Sequence, residues 1–204
     1  MPAAYPTEAE VTTKMVELGL TVPSNLAGIL AGVIEDFERL TGYVPFLADA
    51  SDTVWDFDPP YLAKDLTLDL AGGFTAITSI TINESAIDST GYDKLKLNAA
   101  DESQGWTSIR FRSHPGTTPA SVQITGKRGL YTAIPNSVYE AILAEATGRG
   151  SMSVATAAGD VKSVKMGQMT VTMGDSDSEG RTGYAKTAAA QFERVIMRYQ
   201  RLVI

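Results

Sequence analysis

The chain contains no cysteine and only one histidine among its 204 residues. Without thiols it has no disulfide, no thiolate nucleophile and no cysteine-ligated zinc. A single histidine, His114, cannot supply the His-based metal sites or nucleophile–base pairs that need a second such group. Carboxylate pairs remain an open route to catalysis, but no particular pair stands out. We therefore expect no enzymatic activity, no cofactor, no metal and a satisfied or exposed His114.

Long apolar runs and an excess of positive charge are also missing. No run approaches the roughly 20 apolar residues that span a bilayer, and the N-terminus lacks the pattern of a secretory signal. Lys and Arg number 17 against 24 Asp and Glu, for a net charge of -7. Tight binding of phosphates depends on Lys and Arg. We expect no membrane partner, no specific nucleic-acid binding, and a cytoplasmic or virion setting.

Two stretches before residue 45 have the signatures of helices. Thr7 and Glu10 form a capping box, T-x-x-E, for a first helix that ends at Gly19. A second, stronger helix opens near residue 23 and ends at Gly42. Its apolar residues fall on one helical face: Leu26, Ile29, Leu30, Val33, Ile34, Phe37 and Leu40.

Two more helices are predicted in the last third of the chain. Pro135 has no N–H to lose, and Asn136 or Ser137 can cap the first N–H groups of a helix. A helix is therefore predicted over 134–147, with a loop or frayed end over 148–160. Short extended pieces are expected around Gly167 and a mobile acidic loop over 174–183. The last helix is predicted to start near Thr182 or Gly183.

The residues between these helical regions follow a different pattern. Apolar residues alternate with polar ones in five short runs, and Gly72-Gly73 is predicted to turn the chain between two of them. This indicates a small antiparallel β domain inserted at 55–133. The helical part is then 1–54 together with 134–204. The predicted fold class is α+β, a bundle of about four helices with an inserted β domain.

Four residues are candidates for contacts between subunits. Gly28 and Gly32 lie four apart on the second helix, where they are either tolerated in a tight core or allow close approach of another helix. Lys127 and Arg128 lie between Gly126 and Gly129 in a predicted turn. They are candidates for contact with a neighbouring subunit or with DNA, and a plain exposed turn is the alternative.

Aromatic and acidic clusters offer two further hypotheses. The aromatic residues of the β region form either a ligand platform or core: Trp55, Phe57, Tyr61 and Trp106. The segment from Asp175 to Gly180 begins like a calcium-binding EF-hand loop. Its twelfth position is Lys186 instead of glutamate, so a solvated acidic loop is favoured over a calcium site.

The order of these segments resembles the head–tail connector proteins of tailed bacteriophages, also called adaptor or head-completion proteins. A helical pair leads through TGYVPF (41–46) into a β insertion. The insertion closes with VQITGKRGLYTAIPNSVYEAIL (122–143), and a strand pair KMGQMTVTMG (165–174), an acidic loop and an Ala- and Arg-rich helix follow. The most specific local match is a strand followed by Gly126-Lys127, Gly129, Ile134-Pro135, Val138 and Ala141-Ile142.

The resemblance implies a structural function without catalysis. Such proteins form a ring, commonly of twelve subunits, beneath the portal protein. The ring extends the DNA channel and joins the head to the next neck or tail-completion component. It implies localisation in the virion neck after assembly in the host cytoplasm. Double-stranded DNA would pass through without specific binding, which fits the acidic net charge.

The resemblance also implies that the C-terminal segment docks onto the portal. Carried over to this chain, the docking residues are Phe192, Arg194, Arg198, Tyr199, Arg201, Leu202, Val203 and Ile204. Truncation after Gln191 is then expected to abolish portal association. The alternative for Phe192 is closure of the subunit's own core. The alternative function for the whole chain is a carbohydrate- or ligand-binding β module on a helical frame, without catalysis.

Overall fold

The chain divides into a helical unit and a unit built on a β-sheet. The computed structural model describes residues 2, 4–43, 45–60, 66–96, 104–157 and 178–200, without the side chains of 155–157 and 178–182. One unit consists of Met1–Thr41 with Pro135–Ile204, and the other of Gly42–Ile134. The described parts hold four α-helices and six antiparallel strands. The predicted α+β class with a β domain is confirmed.

The first two helices follow from capping and periodicity. Helix α1 spans Glu8–Glu17, and its capping box is formed: the Glu10 N–H donates to the Thr7 hydroxyl, while the Thr7 N–H donates to the Glu10 carboxylate at 2.7 Å. Gly19, with φ +67°, follows the helix end. Helix α2 spans Leu26–Thr41 and buries one face. That face carries Leu26, Leu30, Val33 and Phe37.

Helix α3 is the centre of the helical unit, because α1, α2 and α4 all pack against it. It spans Asn136–Ala157, and α4 spans Ser178–Tyr199. A Cβ on Gly148 would lie 3.3 Å from the Ala185 Cα, and one on Gly150 would lie 3.2 Å from the Met15 sulfur. These glycines therefore allow the neighbouring helices to approach α3 closely.

The prediction that the third helix ends at 147 is wrong. The helix continues for ten more residues, through Gly148 and Gly150. Glycine inside a helix costs about 1 kcal/mol relative to alanine. Packing against α4 and α1 outweighs that cost. Helix α4 likewise begins at Ser178, so 178–183 is helical and not a mobile loop. The predictions for 158–177, including the extended pieces, lie outside the described residues. The calcium hypothesis falls partly there, and the part of its segment from Ser178 to Lys186 is helical.

The β unit is a single antiparallel sheet. Its strands are β1 (Thr53–Phe57), β2 (Thr67–Ile82), β3 (Ser85–Ala86), β4 (Tyr92–Leu95), β5 (Trp106–Phe111) and β6 (Val122–Arg128). The order is β1-β6-β2-β5-β4, with β3 paired to the end of β2. Alternate residues of the strands form the core: Leu68, Leu70, Phe74, Ile80, Tyr92, Ile109, Phe111, Val122 and Ile124.

Strand β2 is one long strand, and the prediction of a turn at Gly72-Gly73 is wrong. Both glycines have positive φ, +91° and +77°, but the strand continues through them. The register with β5 shifts between Asp69 and Phe74. The glycines thus form a bulge that bends the strand. The first half of β2 pairs with β5 and the second half pairs with β6.

Three glycines meet where the segments of the β unit cross. The Gly129 N–H donates to the Gly73 carbonyl at 3.0 Å, and the Gly105 N–H donates to the Leu130 carbonyl. A Cβ on Gly105 would lie 2.7 Å from the Phe74 carbonyl oxygen. A Cβ on Gly129 would overlap the backbone of Ala48. Backbone therefore packs directly on backbone here, which only glycine permits.

The same crossing brings residues 42–52 into the β unit. The N–H groups of Leu130 and Tyr131 both donate to the Phe46 carbonyl at 3.0 Å, and the Phe46 and Tyr131 rings lie 5.1 Å apart. Tyr43 and Phe46 are buried. The sequence pattern predicts a β insertion that starts at residue 55, whereas this unit begins at Gly42. Irregular composition over 44–54 gave no periodic signal of this contact.

We expect Gly129→Ala to destabilise the β unit by more than about 3 kcal/mol, because strain at φ +138° adds to overlap with Ala48. Gly116→Ala is the matched control. Gly116 also has positive φ, +103°, but a Cβ there meets nothing within 4 Å. Its expected cost is about 1 kcal/mol. Urea unfolding of both variants measures the difference, and equal costs would contradict the close-packed crossing.

Candidate functional site

Helix α4 has one face in the core of the helical unit and one face in solvent. Phe192 is 4% exposed, and its ring lies 6.2 Å from that of Phe37. Arg194 and Arg198 are exposed, and Met197 between them is 66% exposed. Phe192 therefore anchors the helix to its own subunit. The predicted docking contacts that remain accessible on α4 are the two arginines.

The rest of the predicted docking set divides into two parts. Tyr199 is half-buried, with its hydroxyl 3.5 Å from the Ser137 Oγ on α3 and the Arg198 guanidinium 5.8 Å from its ring. It therefore contributes to holding the end of α4 against the start of α3. Arg201, Leu202, Val203 and Ile204 lie outside the described residues.

Lys127 and Arg128 lie in strand β6 and not in a turn, so that prediction is wrong. Gly126 is needed for close approach and not for a positive φ. A Cβ on it would overlap the Ala76 carbonyl, where β2 is irregular. Arg128 donates to the Ala71 carbonyl at 3.0 Å. Burial lowers the pKa of Arg128, and this effect outweighs the charge of Asp49, which raises it. Arg128 therefore has a role within its own unit.

Arg128 also orders a tryptophan on the edge strand. Its guanidinium lies 3.9 Å from the centre of the Trp55 ring, and the Trp55 indole N–H donates to the Thr53 hydroxyl at 2.8 Å. Trp55 remains 36% exposed. A guanidinium stacked on an aromatic face is a favourable cation–π contact. The edge strand thus presents a rigid aromatic group to solvent.

The other predicted aromatic residues do not gather around Trp55. Phe57 packs on Phe74 with ring centres 6.2 Å apart. Trp106, on β5, packs against the β core, and the Lys96 ammonium lies 5.1 Å from its ring centre. Strands β6 and β2 separate β1 from β5 in the sheet. Tyr61 lies outside the described residues. The described aromatic residues of the ligand hypothesis therefore do not form one platform.

A chain of charges links α2 and α3 and was not found by sequence analysis. Arg149 on α3 donates to Glu145 at 2.8 Å and to Asp36 on α2 at 2.8 Å. Asp36 also accepts from Arg39 at 2.9 Å. Glu145 is only 4% exposed, so its carboxylate depends on Arg149 as its partner. The signal available in the sequence was the i,i+4 spacing of Glu145 and Arg149.

This network shifts the pKa of Asp36. Burial alone would raise the pKa of the Asp36 carboxyl, but hydrogen bonds from Arg149 and Arg39 outweigh it and lower the pKa.

A second polar contact links α1 and α3. Burial and a hydrogen bond to Glu10 raise the pKa of Tyr139 to about 12. The same hydrogen bond is the largest of the effects that lower the pKa of Glu10.

His114 is satisfied within the β unit. The Gly116 N–H donates to its Nδ1 at 3.1 Å, so Nε2 carries the proton that it donates to the Pro60 carbonyl at 3.0 Å. Among the described residues, no three His, Asp or Glu side chains gather as metal ligands would. No described helix is both long enough and apolar enough to cross a membrane.

Gly28 and Gly32 lie on the outer side of α2. A Cβ on either would meet nothing within 4 Å in the described residues, and Gly28 is exposed. The explanation of glycines tolerated in a tight core does not fit these positions. The described residues give no packing reason for them, and the hypothesis of an approaching neighbour stays a prediction.

Comparison with known proteins gives weak structural likenesses to solved chains, among them two from the necks of particles. No family model and no curated protein matches the chain. One solved chain, from the "Neck of native GTA particle computed with C12 symmetry", is 13% identical with a TM-score of 0.43, over 73% of this chain and 82% of that one. Another, from the "Neck of empty GTA particle computed with C6 symmetry", is 17% identical with a TM-score of 0.38, over 61% and 65%. At these values neither likeness assigns a family or a function.

We expect Gly28→Ala and Gly32→Ala each to raise the free energy of unfolding by about 0.5–1 kcal/mol, because alanine is the better helix former and its methyl meets no neighbour. If a second subunit approaches these glycines, the same methyl groups will weaken self-association. Chemical denaturation and sedimentation velocity measure the two effects. Unchanged association of the more stable variants would remove Gly28 and Gly32 from the interface.

We expect Arg149→Met to destabilise the helical unit by about 3 kcal/mol, because it leaves the buried Glu145 carboxylate without its partner. Arg39→Met is the control. Arg39 is exposed and forms a surface ion pair with Asp36, so the loss of this pair is expected to cost about 0.5 kcal/mol. Helical circular dichroism during urea unfolding compares them. Equal losses would contradict a special role for Arg149.

The pH dependence gives a second readout of the same network. The pKa of Asp36 is lower in the folded state, so its contribution to stability is complete above the unfolded pKa of about 3.9 and is lost as pH falls through the folded pKa. Stability should therefore fall below about pH 4 in the wild type, and less steeply in Arg149→Met. An identical acid dependence in both proteins would contradict the assignment.

Proposed function

We propose that the chain is a structural subunit of a connector ring in the neck of a tailed phage-like particle. The ring lies beneath the portal, extends the DNA channel and receives the next neck or tail-completion component, with twelve copies as the expected number. The observation that carries the proposal is the place of the connector-like motif. It runs from β6, in the interior of the sheet, through Gly129 and Pro135 into α3, the helix that all three others contact.

That placement makes the motif a determinant of the whole architecture. Gly126 and Gly129 are required by backbone crossings in the β unit. Val138, Ala141 and Ile142 are fully buried in the helical unit. A match confined to a surface loop would say little about the fold. Here the matching residues are those that build both cores, which supports the resemblance to connectors.

Docking on the portal is assigned to the exposed face of α4 and the residues after it. Arg194 and Arg198 present positive charge on either side of the exposed Met197. Complementary charge on the portal would steer association, and an apolar centre with a charged rim is typical of protein interfaces. Phe192 is better explained as the core anchor that positions this face.

The acidic charge supports a channel through which DNA moves without being bound. Each subunit carries a net charge of -7. A ring concentrates that charge around one axis, and an acidic wall forms no counterion-releasing contacts with phosphates. Double-stranded DNA is then a passing partner, the chain resides in the virion neck, and assembly takes place in the host cytoplasm.

A ligand-binding β module without catalysis is the second candidate, and its support is narrower. Only Trp55 among the described aromatic candidates keeps an exposed indole held by a cation. Phe57 and Trp106 contribute to the β core instead. The alternative predicts a monomer whose tryptophan fluorescence responds to saccharides, with the response lost in Trp55→Ala.

Binding to the portal tests the proposal, and the structure improves the choice of variant. Truncation after Gln191 removes the core residues Phe192 and Ile196, so loss of binding would not separate docking from folding. Truncation after Gln200 leaves the described part of α4 intact. We expect this truncation to weaken co-sedimentation with the portal at least about tenfold while the fold is kept. The double variant Arg194→Glu with Arg198→Glu is expected to have the same effect.

The control for this experiment is Lys186→Glu, an exposed charge reversal near the other end of the same helix. It should leave portal binding unchanged. Full portal binding by both docking variants would remove the docking assignment. A wild-type chain that never associates with its portal would contradict the connector function itself.

A further inference from the structure

The two outer strands of the sheet expose apolar side chains. Strands β1 and β4 end the strand order, and no strand in the described part of the chain pairs with the outer side of either. Val54 on β1 is 61% exposed and Leu95 on β4 is 38% exposed. Together with Trp55, they are the exposed large apolar residues among the described residues of the β unit. An unpaired apolar edge is a template for another strand.

Each of these apolar residues lies on a strand long enough to pair. Strand β1 offers five residues and β4 offers four. Trp55 is already ordered by Arg128 and Thr53, so little side-chain entropy is lost when a partner covers it. Tryptophan and arginine are also the residues most enriched at the centres of protein interfaces.

The two edges carry opposite charge. Residues 49–58, which include β1, hold four aspartates and no basic residue, and the neighbouring strand β6 adds two bases, Lys127 and Arg128, so this edge remains acidic. Asp49 lies near Arg128, which leaves Asp52, Asp56 and Asp58 as the exposed acids of this edge. The opposite edge, β4 with its neighbour β5, is basic apart from one aspartate that pairs with an arginine at 3.3 Å. Its charged residues are Lys94, Lys96, Arg110, Arg112 and Asp93.

We propose that β1 of one copy of this chain pairs edge to edge with β4 of the next copy. Pairing of β1 with β1 would bring acids together, and pairing of β4 with β4 would bring bases together, both of which are unfavourable. Contact between unlike edges leaves one free edge of each kind. It therefore repeats from copy to copy and can close into a ring. This inference rests on the proposed connector function and names its subunit interface.

The absence of cysteine makes the interface testable by cross-linking. Val54→Cys and Leu95→Cys each introduce a single thiol on the solvent side of an edge. A bismaleimide that spans about 15 Å reaches across paired strands even when the two thiols are offset by about four residues. Under conditions where the wild type associates, alone or on the portal, a mixture of the two variants should give covalent dimers. Each variant alone should give none.

Two further samples sharpen the test. The double variant carrying both thiols should give a ladder of covalent oligomers that ends at the ring. The control mixture replaces Val54→Cys with Val16→Cys, whose parent residue is 64% exposed in the helical unit, and should give no dimers with Leu95→Cys. Dimers of Val54→Cys alone would overturn the inference, and so would equal yields in the control.

Charge reversal measures the electrostatic part of the same contact. Asp56→Lys should weaken self-association about tenfold, while Glu84→Lys, the corresponding change at an exposed position of the same unit, should have little effect. Equal effects would overturn the assignment of the acidic edge. If the wild type associates but the thiol variants give no cross-links, edge pairing is contradicted and the proposed ring is not. A wild type that is monomeric with and without portal would contradict both.

Discussion

The β unit depends on one point where glycine backbones cross. Gly129 lies against Ala48, and its N–H donates a hydrogen bond to the Gly73 carbonyl. Gly105 packs on Phe74, and its N–H donates to the Leu130 carbonyl. This crossing ties the loop before β1, the bulge of β2 and the start of β5 to the end of β6. A side chain at the centre would separate all of these segments. The bend of β2, the closed core and the positions of the two outer strands follow from it.

The helical unit is organised by a different constraint, the close approach of helices to α3. Gly148 and Gly150 leave room for Ala185 and Met15, and Arg149 between them faces Asp36 of α2. Glycine and arginine thus alternate along one short stretch of helix. The glycines allow packing, and the arginine neutralises two carboxylates that the packing partly buries. Phe192 holds α4 against α2, and Arg194 and Arg198 lie in solvent on the other face of α4.

Local signals predicted the parts of the fold that local interactions determine. The capping box at Thr7 and the apolar face of α2 were sufficient for the first two helices. Glycine was misread wherever its role was close packing: Gly72-Gly73 is a bulge, Gly126 is in a strand, and Gly148 is inside a helix. In each case the deciding contact comes from a distant segment. The charge network at Glu145 and the opposite charges of the sheet edges also require the topology, because their partners lie far apart in the sequence.

The proposed function requires this chain to work as one copy among many in a closed ring. Native mass spectrometry of the purified chain, alone and mixed with the portal of the same particle, tests it most directly. A closed ring gives a single multiple of the 21.7 kDa subunit, formed by the chain alone or on the portal. A monomer that ignores the portal under every condition would contradict it and would leave Trp55 and a small ligand as the next hypothesis.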